Sequence, residues 1–192
     1  MSQTSRASRR ALAVVAGLAA AVTGLTLAPV PAAQAASTGL VISEVYGGGG
    51  NSGATYTNDF IELYNPTSAP ISVNGMSVQY RSSGGTTAAS GVTALSGSVP
   101  AGGHYLVQEA AGTGGTTALP APDVSGTIAM SGSAFTVWLA SGTTALSPAA
   151  DGTAVRDGIV DLVGVNSNTF ETAKAAGLGN TTSSSRVAAD SD

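Results

Sequence analysis

The run from Leu40 to Tyr80, LVISEVYGGGGNSGATYTNDFIELYNPTSAPISVNGMSVQY, constrains the fold more than any other part of the chain. Leu40–Tyr46 and Asp59–Tyr64 are short, rich in β-branched and aromatic residues, and bounded by glycine, asparagine and proline. That pattern predicts strands ended by turns. Five further runs read the same way: Ile71–Val73, Met76–Tyr80, His104–Gln108, Thr127–Met130 with Phe135–Leu139, and Gly158–Val163. Apolar parity switches from odd (Ile71, Val73) to even (Met76, Val78, Tyr80) across Asn74-Gly75, which predicts a tight turn or bulge there. Ser131-Gly132-Ser133 predicts a hairpin between Thr127–Met130 and Phe135–Leu139. No run sustains a helical period, and Thr169–Gly177 allows one helical turn at most. Many short strands between Gly-rich and Pro-rich loops predict an all-β sandwich. The loops 47–58, 81–97 and 110–125 are long for such a domain, which marks them as mobile or functional.

The N-terminal segment is expected to be a targeting signal, separate from the fold. Arg6, Arg9 and Arg10 precede an apolar stretch from Ala11 to Val30, and Ala33-Gln34-Ala35 supplies a small-x-small cleavage site. The expected division is therefore a signal peptide over 1–35 and one β-sandwich domain over 36–192, with the product secreted. Ser8-Arg9-Arg10-Ala11-Leu12 resembles a twin-arginine signal loosely, so both export routes stay open. Interruption of the apolar stretch by Gly17, Gly24 and Pro29 argues against a permanent anchor, and no stable membrane insertion is expected after cleavage.

Cleavage would leave four basic residues, Arg81, Arg156, Lys174 and Arg186, against all eleven acidic ones, a net charge of −7. Such a surface lacks the positive footprint of a nucleic-acid binder, and attraction to anionic membranes is disfavoured for the same reason. The chain has no cysteine, so stability must come from burial and hydrogen bonding. Low charge with abundant Gly, Ser, Thr and Ala resembles the secreted proteins of high-GC Gram-positive bacteria.

Several segments resemble the lamin-tail domain family. Ile42-Ser43-Glu44-Val45 is similar to its opening strand, and Asp59-Phe60-Ile61-Glu62-Leu63-Tyr64-Asn65-Pro66 to its acidic-aromatic strand ending in Tyr-Asn-Pro. Ile71–Val78 resembles the following segment, with Met76 where the family often carries tryptophan. Val99-Pro100-Ala101-Gly102-Gly103-His104-Tyr105-Leu106-Val107 resembles its Pro-x-Gly-Gly-aromatic strand, and Thr136–Leu139 and Asp157–Gly164 its closing strands. The resemblance implies an immunoglobulin-like β-sandwich of lamin-tail type. Near Ser185-Arg186 and Asp190-Ser191-Asp192 the pattern departs from bacterial versions, whose final strand is not found here, so the C-terminal end of the sandwich is expected to be truncated, either as a shortened product or as the front piece of a longer protein. The resemblance also implies a secreted non-catalytic binding or scaffolding domain, or the N-terminal accessory part of a secreted nuclease or phosphatase; the tyrosines and Trp138 add a third reading, a carbohydrate-binding module. The corresponding partners are another protein, a downstream catalytic domain or a cell-surface polymer.

Glu44 and Glu62 are the residues most worth chemical attention. Each alternates with apolar neighbours, Ile42 and Tyr46 or Phe60 and Tyr64, and a shared inward face would bury both carboxylates. The preferred reading is structural: they accept loop N–H groups or pair with an arginine. A calcium site using one of them with loop oxygens is the lesser reading, and a catalytic pair the least. No cofactor is otherwise implied. His104, the sole histidine, is expected at a strand end facing solvent, since no second histidine, cysteine or Gly-x-Ser-x-Gly elbow accompanies it. Gly47–Gly50 lacks a following Gly-Lys-Ser/Thr and reads as a flexible loop. Asp157 and Asp161 share a strand face about 13 Å apart, too far to chelate one ion. Trp138 and the tyrosines are expected to pack in the core more than to form a carbohydrate platform.

Overall fold

Side-chain alternation, set by the two-residue strand period, sorts the chain into two facing sheets. The computed structural model describes residues 39–150 and 158–186. Its elements are β1 (Val41–Tyr46), β2 (Asn58–Tyr64), β3 (Ile71–Ser72), β4 (Ser77–Ser82), β5 (Gly91–Ala94), β6 (Ser98–Val99), β7 (His104–Ala111), β8 (Val124–Ser125), β9 (Phe135–Ala140), β10 (Ile159–Val165) and β11 (Ser184–Ser185). One sheet runs in the order β11-β1-β2-β7-β8, the other β10-β9-β4-β5, with β3-β6 as a separate ribbon. All pairings are antiparallel except β7 with β8. The expectation of an all-β, immunoglobulin-like sandwich is met.

The core lies between the sheets. Ile42, Val45, Ile61, Leu63, Tyr105 and Val107 come from the five-stranded sheet; Val78, Phe135, Val137, Leu139 and Val165 come from the four-stranded one. Val73 and Val99 of the ribbon region join the same cluster. In β2 and β7 the odd residues face this core, which leaves Glu62, Tyr64 and His104 on the outer face. A bulge between Ile42 and Glu44 shifts parity within β1. It lets Ile42 and Val45 both point inward and turns Ser43 and Glu44 toward solvent, half-buried. The inward placement expected for Glu44 and Glu62 is thus corrected.

All six residues of β9 are buried, because the four-stranded sheet is covered on both faces. Trp138, Ala140, Ile159 and Leu162 form a second cluster on its outer side, with Ala89 and Leu146 packed against it. Gln79 organises this layer. Its Oε1 accepts the Trp138 indole N–H (3.1 Å) and the Leu146 N–H (2.8 Å), and its Nε2 donates to the Thr144 carbonyl (2.9 Å). Arg81 is 2 % exposed, its guanidinium bonded to the Thr87 and Pro148 carbonyls and the Thr169 hydroxyl, with its charge 5.8 Å from the Trp138 ring centre. Core packing, expected for Trp138, is what the fold shows.

Two of the local expectations that follow are corrected and two are met. Thr127–Met130 is no strand and forms no hairpin with Phe135–Leu139; residues 126–131 run as an irregular strap between β8 and β9, with the Gly126 N–H on the Gln108 carbonyl and the Ile128, Met130 and Ser131 N–H groups on the side chains of Glu109, Asp59 and Tyr80. The expected loop 81–97 contains β5, paired with β4. Thr169–Gly177, where at most one helical turn was expected, has none, and Ala175 forms a bridge with Val165. The turn at Asn74-Gly75 is present, with Gly75 at φ 81° and the Met76 N–H on the Val73 carbonyl, but β3 then pairs with β6 rather than β4.

Gly47–Gly50 is the third correction. The segment is packed backbone against backbone, not free: Gly50 N–H bonds to the Tyr56 carbonyl (3.0 Å) and Gly114 N–H to the Gly50 carbonyl (2.7 Å). A Cβ at Gly49 would lie 1.9 Å from the Asn58 carbonyl carbon, and one at Gly114 2.0 Å from the Asn51 oxygen. Gly49→Ala should therefore destabilise the domain by about 3 kcal/mol or more, the cost of forcing rigid neighbours apart. Gly84→Ala, where a Cβ meets nothing, should stay within about 0.5 kcal/mol of the native protein in the same denaturant melts.

Candidate functional site

The outer face of β1, β2 and β7 carries a small set of interacting polar groups. Glu44 and Glu62 stand directly opposite one another in the β1–β2 register, and Tyr64 stands opposite His104 in β2–β7. Two like charges at such a position repel. Glu62 is compensated: Ser43 Oγ donates to its Oε1 (2.7 Å), and His104 Nδ1 lies 2.8 Å from the same oxygen. That contact places the imidazole proton on Nδ1, a tautomer inferred from the partner. The Tyr64 and His104 rings meet at 4.9 Å with a 38° tilt. The His104 side chain is 54 % exposed and that of Glu62 29 %. His104 sits at the solvent-facing strand end, as expected from its sequence.

The chemistry available here is limited. Ser43 directs its proton to a carboxylate and not to the imidazole, so no nucleophile–base contact exists. Among the described residues, no three histidine, cysteine or acidic side chains converge as a metal-holding group. The calcium candidates thus divide. Glu62 is held by Ser43 and His104, while Glu44 is half-buried opposite Ser185 and Glu62. Asp157, Asp190 and Asp192 lie outside the described residues.

The structural duty expected of the glutamates falls on three other acids. Asp59, 3 % exposed, accepts the Gly49 N–H (2.9 Å) on one oxygen and the Met130 N–H (2.8 Å) on the other. Glu109, 1 % exposed, accepts the Ile128 N–H (2.8 Å). Asp161 accepts the Ile42 N–H and is gripped through both oxygens by Arg186 Nη2 (2.9 and 3.1 Å). Arg186 Nε also donates to the Ile42 carbonyl (3.2 Å). Burial pushes the Asp59 carboxyl up to about 6, against the pull of its two N–H partners, and the negative Glu109 adds to the rise. Burial likewise raises Glu109, opposed by the Thr93 hydroxyl and the Ile128 N–H. The signal for Asp59 and Glu109 was in the sequence: Asp59 shares parity with Ile61 and Leu63, and Glu109 with Tyr105 and Val107.

The loops at the Gly47–Asn58 end form a second polar cluster over an aromatic group. Tyr46 stacks on Phe60 at 5.5 Å, and Tyr56 meets both edge-on. The Tyr46 hydroxyl donates to the Asn180 carbonyl, and the Asn180 amide bonds to the Ser52 carbonyl (3.0 Å). These tyrosines are engaged in holding loops together and form no exposed row.

A family model described as Lamin Tail Domain matches residues 33–185. Comparison with curated proteins finds no match. The two kinds of acid separate in a stability measurement. Arg186→Ala leaves Asp161 buried without its cation and should cost about 3 kcal/mol in urea unfolding. Glu62→Gln removes only an exposed pair and should cost under about 1 kcal/mol.

Proposed function

Because the chain belongs to the lamin tail domain family, we propose that it is a secreted, non-catalytic binding or scaffolding module that presents the outer face of β1, β2 and β7 to its partner. The observation that carries this reading is the contrast between the two outer faces. Loops anchored on Gln79 and Arg81 cover the four-stranded sheet, whereas Ser43, Glu44, Glu62, Tyr64, His104, Leu106 and Gln108 stay partly or fully open on the other. An open sheet face suits an extended macromolecular contact. Two grooves away from the open face's centre are small, about 130 Å³ beside Ile42, Leu162 and Arg186 and about 300 Å³ beside Tyr80, Val92 and Ile128, at or below the lower end for small-molecule sites.

The stacked Tyr64–His104 pair beside a carboxylate supports a second reading, a polysaccharide-binding face, since sugars lie flat on aromatic rings and bond to acids. Pull-down on insoluble polysaccharides tests it. Retention of the native protein and its loss in Tyr64→Ala/His104→Ala supports a glycan partner; no retention ends that reading and leaves a protein partner. Export is tested separately. Expression of the whole chain in a Gram-positive host should yield protein in the medium whose first residue is Ala36, and retention in the cells would contradict secretion.

A further inference from the structure

The strap 126–131 and the glycine segment 47–50 are both held by carboxylates that the open face does not use. Glu109 of β7 takes the Ile128 N–H, and Asp59 of β2 takes the Met130 N–H two residues further along. The other oxygen of Asp59 takes the Gly49 N–H. The strap returns a bond, from the Ala110 N–H to the Ile128 carbonyl (3.1 Å). Two acids on adjacent strands thus tie two separate chain segments to the inner side of one sheet.

The groups around them are few. Tyr80 of β4 approaches from the facing sheet, its hydroxyl accepting the Ser131 N–H (3.1 Å), and Thr93 of β5 bonds to Glu109. Neither the strap nor the glycine segment carries a titratable side chain. Among the described basic residues, Arg81 and Arg186 are bonded elsewhere, His104 pairs with Glu62, and Lys174 is exposed. Among the described residues, no cation therefore offsets the two acids. Glu109 Oε1 is moreover buried without a hydrogen-bond partner, which makes its ionised form costly.

We propose that Asp59 and Glu109 form a proton-operated latch: uptake of one proton at Asp59 removes an acceptor from Gly49 or Met130, loosening that segment while the domain as a whole becomes harder to unfold. The two effects have separate physical origins. A neutral carboxyl turns one oxygen into a hydroxyl, which serves only one of the two N–H donors well. Removing a buried negative charge beside Glu109 relieves desolvation and repulsion. The folded-state value of about 6 lies above the ordinary 3.8, so between these pH values the folded chain binds more protons than the unfolded one. Stability from this group therefore rises as pH falls from about 6 toward 4 and is flat above. The usual buried carboxylate with a cation behaves oppositely.

The test follows the Asp59 carboxyl carbon by NMR, amide exchange at Gly49 and Met130, and melting temperature, each between pH 7 and 5. Exchange rates are corrected for the intrinsic pH dependence of the chemistry. The expected result is an Asp59 midpoint near 6 and a drop in protection of about tenfold or more at one of the two amides, as befits loss of a bond to a charged acceptor. The melting temperature relative to Asp59→Asn should rise by about 3–6 °C on acidification. Asp59→Asn should show the loosened amide at both pH values. Glu109→Gln, which keeps the Asp59 bonds, should move the Asp59 midpoint down and serves if the asparagine variant does not fold. A midpoint below 4.5, or full protection of both amides with Asp59 protonated, overturns the latch.

Discussion

Backbone N–H groups that no strand ladder satisfies must still find acceptors, and here buried carboxylates supply them. Asp59, Glu109 and Asp161 between them accept the N–H groups of Gly49, Met130, Ile128 and Ile42. A bond to a charged acceptor contributes about 1.5–3 kcal/mol, more than a neutral one, and an orphaned buried N–H costs a similar amount. In a chain without cysteine, these bonds fix which loops lie against which sheet. Apolar burial drives collapse but is not directional. The acids set the register of the strap and of the glycine segment.

Spending acids and arginines inside has a consequence outside. Arg81 and Arg186 are committed to carbonyls, a hydroxyl, an aromatic ring and Asp161, and three carboxylates face the interior. The charged side chains left at or near the surface, among them Glu44, Glu62, Asp123 and Lys174, are few among the described residues. Such a surface steers ions and polyanions weakly. Association with a partner then depends on shape and hydrogen bonding. Hydroxyl, amide and tyrosine groups on an open sheet can provide both.

The ordered motifs from Leu40 to Tyr105 made the sandwich legible, since its longer strands announce themselves by composition and their turns by glycine, asparagine or proline, whereas the short β5 and β6 carry no such signal. Which acids face inward was not legible by the same means. In Asp59–Tyr64 the even set contains two aromatics and the odd set a carboxylate, so the larger apolar payload suggests the wrong face. Tyr64 is free to stay out because its ring packs on His104, and Phe60 because Tyr46 and Tyr56 cover it. A bulge at Ser43 cannot be read from alternation, as it interrupts it. The strap misled for another reason: Thr127-Ile128-Ala129-Met130 has strand composition, but its partners are side chains distant in sequence.

Sheet edges offer a partner less than the open face does, and the reason is again local. An unpaired edge invites another strand. In the five-stranded sheet both outermost strands, β8 and β11, are two residues long, which leaves little ladder to extend. β10 is the long outer strand of the other sheet, at seven residues. Its far end is taken by Ala175, whose N–H bonds to the Gly164 carbonyl and whose carbonyl accepts the Asn166 N–H. Nearer its start, Asp161 reaches across to Ile42 and Arg186 and bolts the strand to β1. The same carboxylate that satisfies a stray N–H thus also blunts the longest outer strand, which agrees with the proposed use of the face of β1, β2 and β7.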